Sequence, residues 1–257
     1  PVLVIRDVPP KSDDGIAVDQ PAIYYGENMY GYRIVNTAVK EFNHPRGDAN
    51  VYAHYDGSGG VSLDSFLRRA LFAFHQFDVR IVLTSYITAD SRIQFWRDVQ
   101  DRVRRVAPFL ALDRDPYLVL SDGRLFWVQD AYTVSETYPY SEPYRDHLNY
   151  IRNSVKVIVD AYLGEVAIYV MDPEDPVLGA YRAALPVLFR PLSEMPEGLR
   201  RHLRYPQDLF EAQVEKYSTF HMTVPQVFYN GEDVWEVPRQ IQGFKPMSLR
   251  PIHALGD

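Results

Sequence analysis

The sequence predicts an α+β fold, with antiparallel hairpins forming sheet and several helices packed on them, from three observations. Residues 149–171, NYIRNSVKVIVDAYLGEVAIYVM, alternate with period two and reverse at Leu163-Gly164. Residues 117–131 do the same about Ser121-Asp122-Gly123, where glycine can take positive φ. Separate stretches near 63–74, 90–103 and 206–217 carry apolar residues three and four apart, the spacing of one helical face, and Asp175-Pro176 opens a further helix to about Leu185.

In chain order, Val2–Ile5 reads as a first short strand closed by Pro9-Pro10. Residues 21–39 contain Tyr24, Tyr25, Tyr30 and Tyr32 without helical rhythm, and read as short strands around Gly26 and Gly31. The stretch 41–60 is turn-rich and ends in a Gly-Ser-Gly-Gly hinge. Ser62 then serves as an N-cap for a helix burying Leu63, Phe66, Leu67, Ala70, Leu71 and Phe74, with Arg68 and Arg69 toward water. Ile81–Leu83 reads as a short buried segment. A second helix is expected from Asp90 or Ser91, with Ile93, Trp96, Val99 and Val103 on its inner stripe and Pro108 stopping it.

From Asp113 the period changes to two. In the strand from Asn149 to Tyr162, Ile151, Asn153, Val155, Val157, Val159 and Ala161 form the core face. The opposite face is a half-buried polar ladder, in which Lys156 and Asp160 pair with neighbouring strands. Asp175-Pro176 supplies an N-cap and a proline at N1, where a missing N–H costs nothing. Another helix starts at Pro206 with Phe210, Val214 and Tyr217 inward, and beyond Val237 the chain wraps the surface or frays. Two lobes, 1–110 and 111–257, are expected, either distinct or merged into one unit with a seam at 110–113.

Composition excludes more than it assigns. The net charge of -7, from 27 basic and 34 acidic residues, argues against a nucleic-acid partner. The absence of cysteine removes disulfides, thiolate metal sites and thiol nucleophiles. No apolar run reaches the roughly 20 residues needed to cross a bilayer. The opening PVLVIRDVPPKSDDG lacks the basic leader of a signal peptide and reads as a boundary within something longer. With 19 Tyr, 13 Phe and 3 Trp, the chain is rich in rings suited to semi-buried layers and to carbohydrate or protein contacts.

No histidine pair has metal-ligand spacing; Asp113 with Asp115, and Asp172 with Glu174 and Asp175, are weak oxygen-donor candidates that turn and cap chemistry also explains, and no metal or cofactor is expected. Carboxylates for acid–base chemistry are sought among Glu27, Glu41, Asp130 and Asp160, which stand in or beside aromatic segments. Asp160 and Arg152 share a strand face but lie about 26 Å apart by strand rise, so each must pair elsewhere. The best binding candidates are the rings of the segment YTVSETYPYSEPY: Tyr132, Tyr138, Tyr140 and Tyr144, together with Arg152, Asp130 and Asp160.

Ordered blocks along the chain carry a resemblance. They include IYYGE (23–27), EFNHPRGDANVYAHYDG (41–57), APFLALDRDPYLV (107–119), NYIRNSVK (149–156), DPEDP (172–176) and HLRYPQDLF (202–210). In these the chain resembles the UPF0182 family of bacterial multi-spanning membrane proteins. The resemblance implies an extracytoplasmic, soluble portion of such a protein, whose missing N-terminal membrane spans would be its first partner. A homo-oligomer or an envelope ligand is a further expected partner. It implies no catalytic residues. The expected role is non-enzymatic, in assembly or binding. The alternatives are an envelope hydrolase using a carboxylate pair, or a transport accessory gating the spans.

Overall fold

A computed structural model of the chain describes residues 5–6, 10–12, 16–46, 48–144, 147–242 and 245–248. The first expected strand falls outside these at Val2–Val4; Ile5–Arg6 (β1) pairs with Lys11–Ser12 (β2).

The longest run of alternation becomes the centre of a six-stranded sheet. Arg124–Ser135 (β10) and Tyr150–Asp160 (β11) lie antiparallel, with Trp127 opposite Val159 and Asp130 opposite Lys156. Val166–Val170 (β12) returns beside β11 after the Leu163-Gly164 turn, as the period-two pattern requires. On the far side of β10 lie Ala111–Leu112 (β8) and Tyr117–Ser121 (β9), the latter closing the hairpin at Asp122-Gly123. Phe189–Pro191 (β13) adds a parallel edge to β12.

Both faces of this sheet are covered. Val155, Val157, Val159 and Ala161 pack with Trp127, Val99, Val103 and Leu178 on one side. On the other, Ile158 and Tyr169 pack with Tyr117, Val119, Met195 and Leu199. The even-numbered side of β11 is therefore a second core rather than a half-exposed ladder. Glu197–Arg200 (α5), with the 3-10 turn Leu192–Glu194 before it, roofs that side. Pro176–Ala184 (α4), capped by Asp175, covers the first.

A smaller sheet runs Arg33–Val35 (β3), Arg92–Gln94 (β7), Val61–Ser62 (β6), with Leu63, Ile81, Ile87 and Ile93 as its core. It corrects the expected helix from Asp90. Ser91 is consumed by a turn, accepting from the Thr88 N–H at 2.9 Å and donating to the Asn36 carbonyl at 3.0 Å. Ile93 pairs with Ile34 and Val61, and Trp96 takes a left-handed φ of 48° that no helix could continue through. The helix starts only at Asp98, whose carboxylate caps Asp101 N–H, and spans Val99–Val106 (α3). An apolar spacing of three spanned a strand, a turn and a helix.

Three other expectations are revised. Residues 41–60 contain a hairpin, Glu41–Arg46 (β4) with Ala49–Ala53 (β5), hidden in the sequence by Pro45 and by a register shift between Phe42 and His44. The helix after Pro206 is Gln207–Phe220 (α6), whose buried residue is Ala212 while Tyr217 is exposed. Pro225–Asn230 (α7) follows, and among the described residues past Val237 Arg239–Gln242 (β14) and Lys245–Ser248 (β15) form a further hairpin.

The largest revision concerns the helix after residue 61. Its N-cap is Ser65, three residues later than expected, and it spans Phe66–Gln76 (α1), followed by the single turn Arg80–Leu83 (α2). The stripe expected to be buried faces out: Phe66, Leu67, Leu71 and Phe74 are all more than half exposed. The inward side holds Phe72, its ring 5.3 Å from Phe95, and Arg69, which donates to the Leu63 and Thr88 carbonyls at 2.8 and 3.2 Å.

Candidate functional site

The ionisable residues picked from the sequence fall into three places. Asp113 and Asp130 come together because β8 and β10 are neighbours: Asp113 N–H donates to the Asp130 carbonyl at 3.0 Å. Both side chains are almost wholly buried, as is Lys156. Asp130 forms an ion pair with Lys156 and accepts from Asn153 Nδ2 at 3.1 Å, and Lys156 Nζ also donates to the Arg204 carbonyl at 2.6 Å. Asp113 accepts from Tyr132 Oη, from Asp208 N–H at 3.0 Å and from Asp115 N–H at 3.1 Å.

Electrostatics follow from this burial. Desolvation pushes the Asp130 carboxyl above the ordinary range, and Lys156 opposes it. Desolvation likewise pushes the Tyr132 phenol far up, aided by its bond to Asp113, so it stays protonated. Tyr132 is therefore an internal strut and not a surface ring. The clefts lined by Glu41 and Asp56, by Arg124 and Asp160, and by Tyr144 and Leu209 include none of Asp113, Asp130 and Lys156. A carboxylate pair exists, but it is buried and bound to donors within the chain.

Asp160 and Arg152, at opposite ends of β11, do not join this cluster. Asp160 binds Arg124 at 2.6 Å and accepts from the N–H groups of Tyr162 and Leu163, so it fixes the turn into β12. Arg152 binds Asp172 at 2.8 Å. Asp115 is exposed beside Asp113, and among the described residues no three His, Asp or Glu side chains are grouped to hold a metal. A second buried polar knot went unread in the sequence. Asp175 accepts from Thr133, Ser154 and Tyr150 hydroxyls, each at 2.5 Å, and from Val177 N–H at 3.0 Å.

The Tyr-Pro segment divides in two. Tyr138 stacks on Tyr150, with centroids 4.6 Å apart, whereas Tyr140 stands fully in solvent with a φ of 57°. Tyr144 lines a mainly apolar cleft of about 280 Å³ with Leu148, Ile151, Leu209 and Ala212.

A run of exposed apolar side chains forms a ridge along α1 and α2. Phe74 is 78% exposed, Phe77 91% and Leu83 74%, and the rings of Phe74 and Phe77 lie 6.2 Å apart. Isolated exposed apolar residues are ordinary, but a run along one helix and its successor marks an interaction surface. The helical spacing in the sequence was the signal for it; its start and its direction were misread.

Together these features define an α+β domain whose buried charges serve the sheet and which carries a run of exposed apolar side chains on the α1–α2 ridge. The chain belongs to the UPF0182 family, since the model of that uncharacterised protein family matches residues 1–255. Over 256 residues it is 52% identical to a UPF0182 protein of Bradyrhizobium diazoefficiens, covering 99% of the chain and 28% of that protein. A UPF0182 protein of Pelotomaculum thermopropionicum is 46% identical over 255 residues, again covering 99% and 28%. One from Salinibacter ruber is 49% identical over 267 residues, covering 100% and 28%. The chain thus spans little more than a quarter of the length of the curated relatives it matches. No solved structure matches it at a significant level. Among the described residues no helix is long and apolar enough to cross a membrane.

Proposed function

We propose that this chain is a non-enzymatic assembly and binding domain, held outside the cytoplasm by a longer membrane-spanning polypeptide. The α1–α2 ridge is its seat on the rest of that polypeptide. The ridge carries the reading: Phe66, Leu67, Leu71, Phe74, Phe77 and Leu83 all stand more than half in water. Burying each such side chain is worth about 1.5–3 kcal/mol. The greater part of each relative lies beyond the matched region, so a covering segment would be covalently tethered and present at high effective concentration. Binding is favoured over hydrolysis because Asp113 and Asp130 are each committed to fixed donors and closed to solvent.

The absence of cysteine from the chain gives a direct test. Phe77→Cys and, on a separate surface, Val187→Cys (the native side chain is 97% exposed) are each placed in the isolated chain and in a full-length, otherwise cysteine-free parent. A membrane-impermeant maleimide should label both in the isolated chain. On intact cells it should label Val187→Cys and spare Phe77→Cys. Failure of Val187→Cys to label on intact cells would refute the location. Equal labelling of Phe77→Cys in both contexts would refute the docking.

A further inference from the structure

A cleft of about 530 Å³ opens between residues 20–24, the β4–β5 hairpin and Tyr162, away from the buried carboxylates. Its floor is tied to the main sheet. Tyr24 and Tyr25 N–H groups both donate to the Ala161 carbonyl, at 2.8 and 2.9 Å, and Gln20 N–H donates to the Gly123 carbonyl at 3.0 Å. Three rings lock one another: Tyr24, Tyr55 and Tyr162 have centroid separations of 4.7, 5.3 and 4.8 Å. The volume falls within the roughly 300–1,000 Å³ of small-molecule sites, and such a braced wall is what a pre-formed site needs.

The polar groups of the wall fall into two kinds. Glu41 is spent: it accepts from Arg33 Nη2 at 3.0 Å, Tyr24 Oη at 3.2 Å and Asn36 N–H at 3.1 Å. Others keep capacity. Asp56 uses Oδ1 for the Tyr162 hydroxyl and leaves Oδ2 without a partner among the described residues. Asn43, His44 and His54 also line the cleft, and none of the described hydrogen bonds engages their side chains. The register shift between Phe42 and His44 makes Asn43 the extra residue of a β-bulge, a device that re-aims side chains at sites. Phe42, half exposed, is also among the lining residues, its ring 6.2 Å from that of Tyr52.

This lining selects a chemistry. A phosphate or other anion would meet the carboxylates of Glu41 and Asp56, while the one guanidinium in the wall, Arg33, is already bound to Glu41. An apolar ligand would strand several polar groups without water, at a cost for each. A cation would find the Glu41 carboxylate already bound by Arg33, which leaves it Asp56 Oδ2 among the described carboxylate oxygens of the wall. A ligand with neighbouring hydroxyls satisfies a carboxylate, a carboxamide and imidazoles at once, since each hydroxyl both donates and accepts. Its C–H face suits an aromatic ring.

We propose that this cleft binds a neutral saccharide, with Asp56, Asn43, His44 and His54 reading ring hydroxyls and Phe42 supplying the stacking face. The site is independent of the α1–α2 docking surface.

Saturation-transfer NMR and calorimetry with the β-1,4-linked tetramers of glucose and of N-acetylglucosamine test it. Phe42→Ala and Asp56→Asn are the variants, both at exposed positions, with circular dichroism confirming their fold. Saturation transfer to at least one tetramer is expected, with affinity weakened at least about tenfold by each variant. Phe77→Asp on the docking ridge should leave that affinity unchanged. The proposal is overturned if neither tetramer binds at about 1 mM, the weak end of useful affinity. Binding that survives in both variants, or that inorganic phosphate displaces, overturns it equally.

Discussion

Asp130 and Lys156 face each other directly across the β10–β11 ladder and form an ion pair from which water is almost entirely excluded. Their attraction is set against the cost of desolvating both, so the pair adds little net stability but tolerates no loss of one partner. Lys156→Met should therefore destabilise the chain by about 3–5 kcal/mol. The double variant Asp130→Leu/Lys156→Met should recover most of that loss. Urea unfolding of the set gives the answer. A double variant as unstable as the single would mean the pair serves more than its own charges.

Asp175 makes stability depend on acid. Burial alone would raise its carboxyl, but hydroxyls of Ser154, Thr133 and Tyr150 and the Val177 N–H outweigh this and hold it below the usual Asp range. For a carboxyl depressed on folding, the stabilisation is complete above the unfolded value, about 3.9, and is lost as pH falls through the lower folded value. Asp175→Asn should lose that stabilisation at about pH 6 and differ less from the parent as the pH approaches 2. Unfolding free energies measured across this range check the sign. A stability gap that stays constant with pH would exclude the carboxylate as its source.

Two glycines should respond in opposite directions. Gly164 has a φ of +72°, and a Cβ there would lie 2.4 Å from the Tyr25 ring, which is itself held under Arg102 with the guanidinium 4.5 Å from its centroid. Arg102 Nε also donates to the Gly164 carbonyl at 2.5 Å. Gly164→Ala should cost about 1–3 kcal/mol for the backbone and more for the displaced ring. Gly179 lies within α4 with open space around its Cα, so Gly179→Ala should stabilise by about 0.5–1 kcal/mol. Thermal unfolding resolves both, and a matching sign in the two would contradict the assignment.

What the sequence made legible was periodicity. Alternation in 149–171 and 117–131 produced β10, β11, β12 and the Gly123 and Gly164 turns where expected, because strand period and turn chemistry are local. The α4 cap at Asp175-Pro176 was legible for the same reason. The face a helix buries is not local: α1 has one well-defined apolar stripe, and only its neighbours decide that Phe72 and Arg69 turn inward. Charge pairing was partly readable, since Lys156 was expected to meet an adjacent strand. Its partner Asp130 and the approach of Asp113 depend on sheet order and register. The cleft at Asp56 escaped notice because a bulged hairpin containing Pro45 shows no alternation.

The ridge itself yields a test of stability that is separate from any partner. A side chain that is mostly exposed contributes little to folding, so Leu71→Gln and Phe74→Gln should each change unfolding free energy by no more than about 0.5 kcal/mol. Phe72→Ala, on the inward side against Phe95, should cost about 2 kcal/mol or more. Phe77 sharpens the contrast. It closes α1 in the left-handed conformation, φ 52°, a position where glycine carries no steric penalty. Phe77→Gly should therefore stabilise the isolated chain even as it removes the most exposed ring on α1 and its cap. The docking surface proposed above gives that exposed ring a use that a glycine could not supply. If denaturant titration shows Phe77→Gly or Phe74→Gln to be strongly destabilising, the ridge is packed within the chain and has no face to offer.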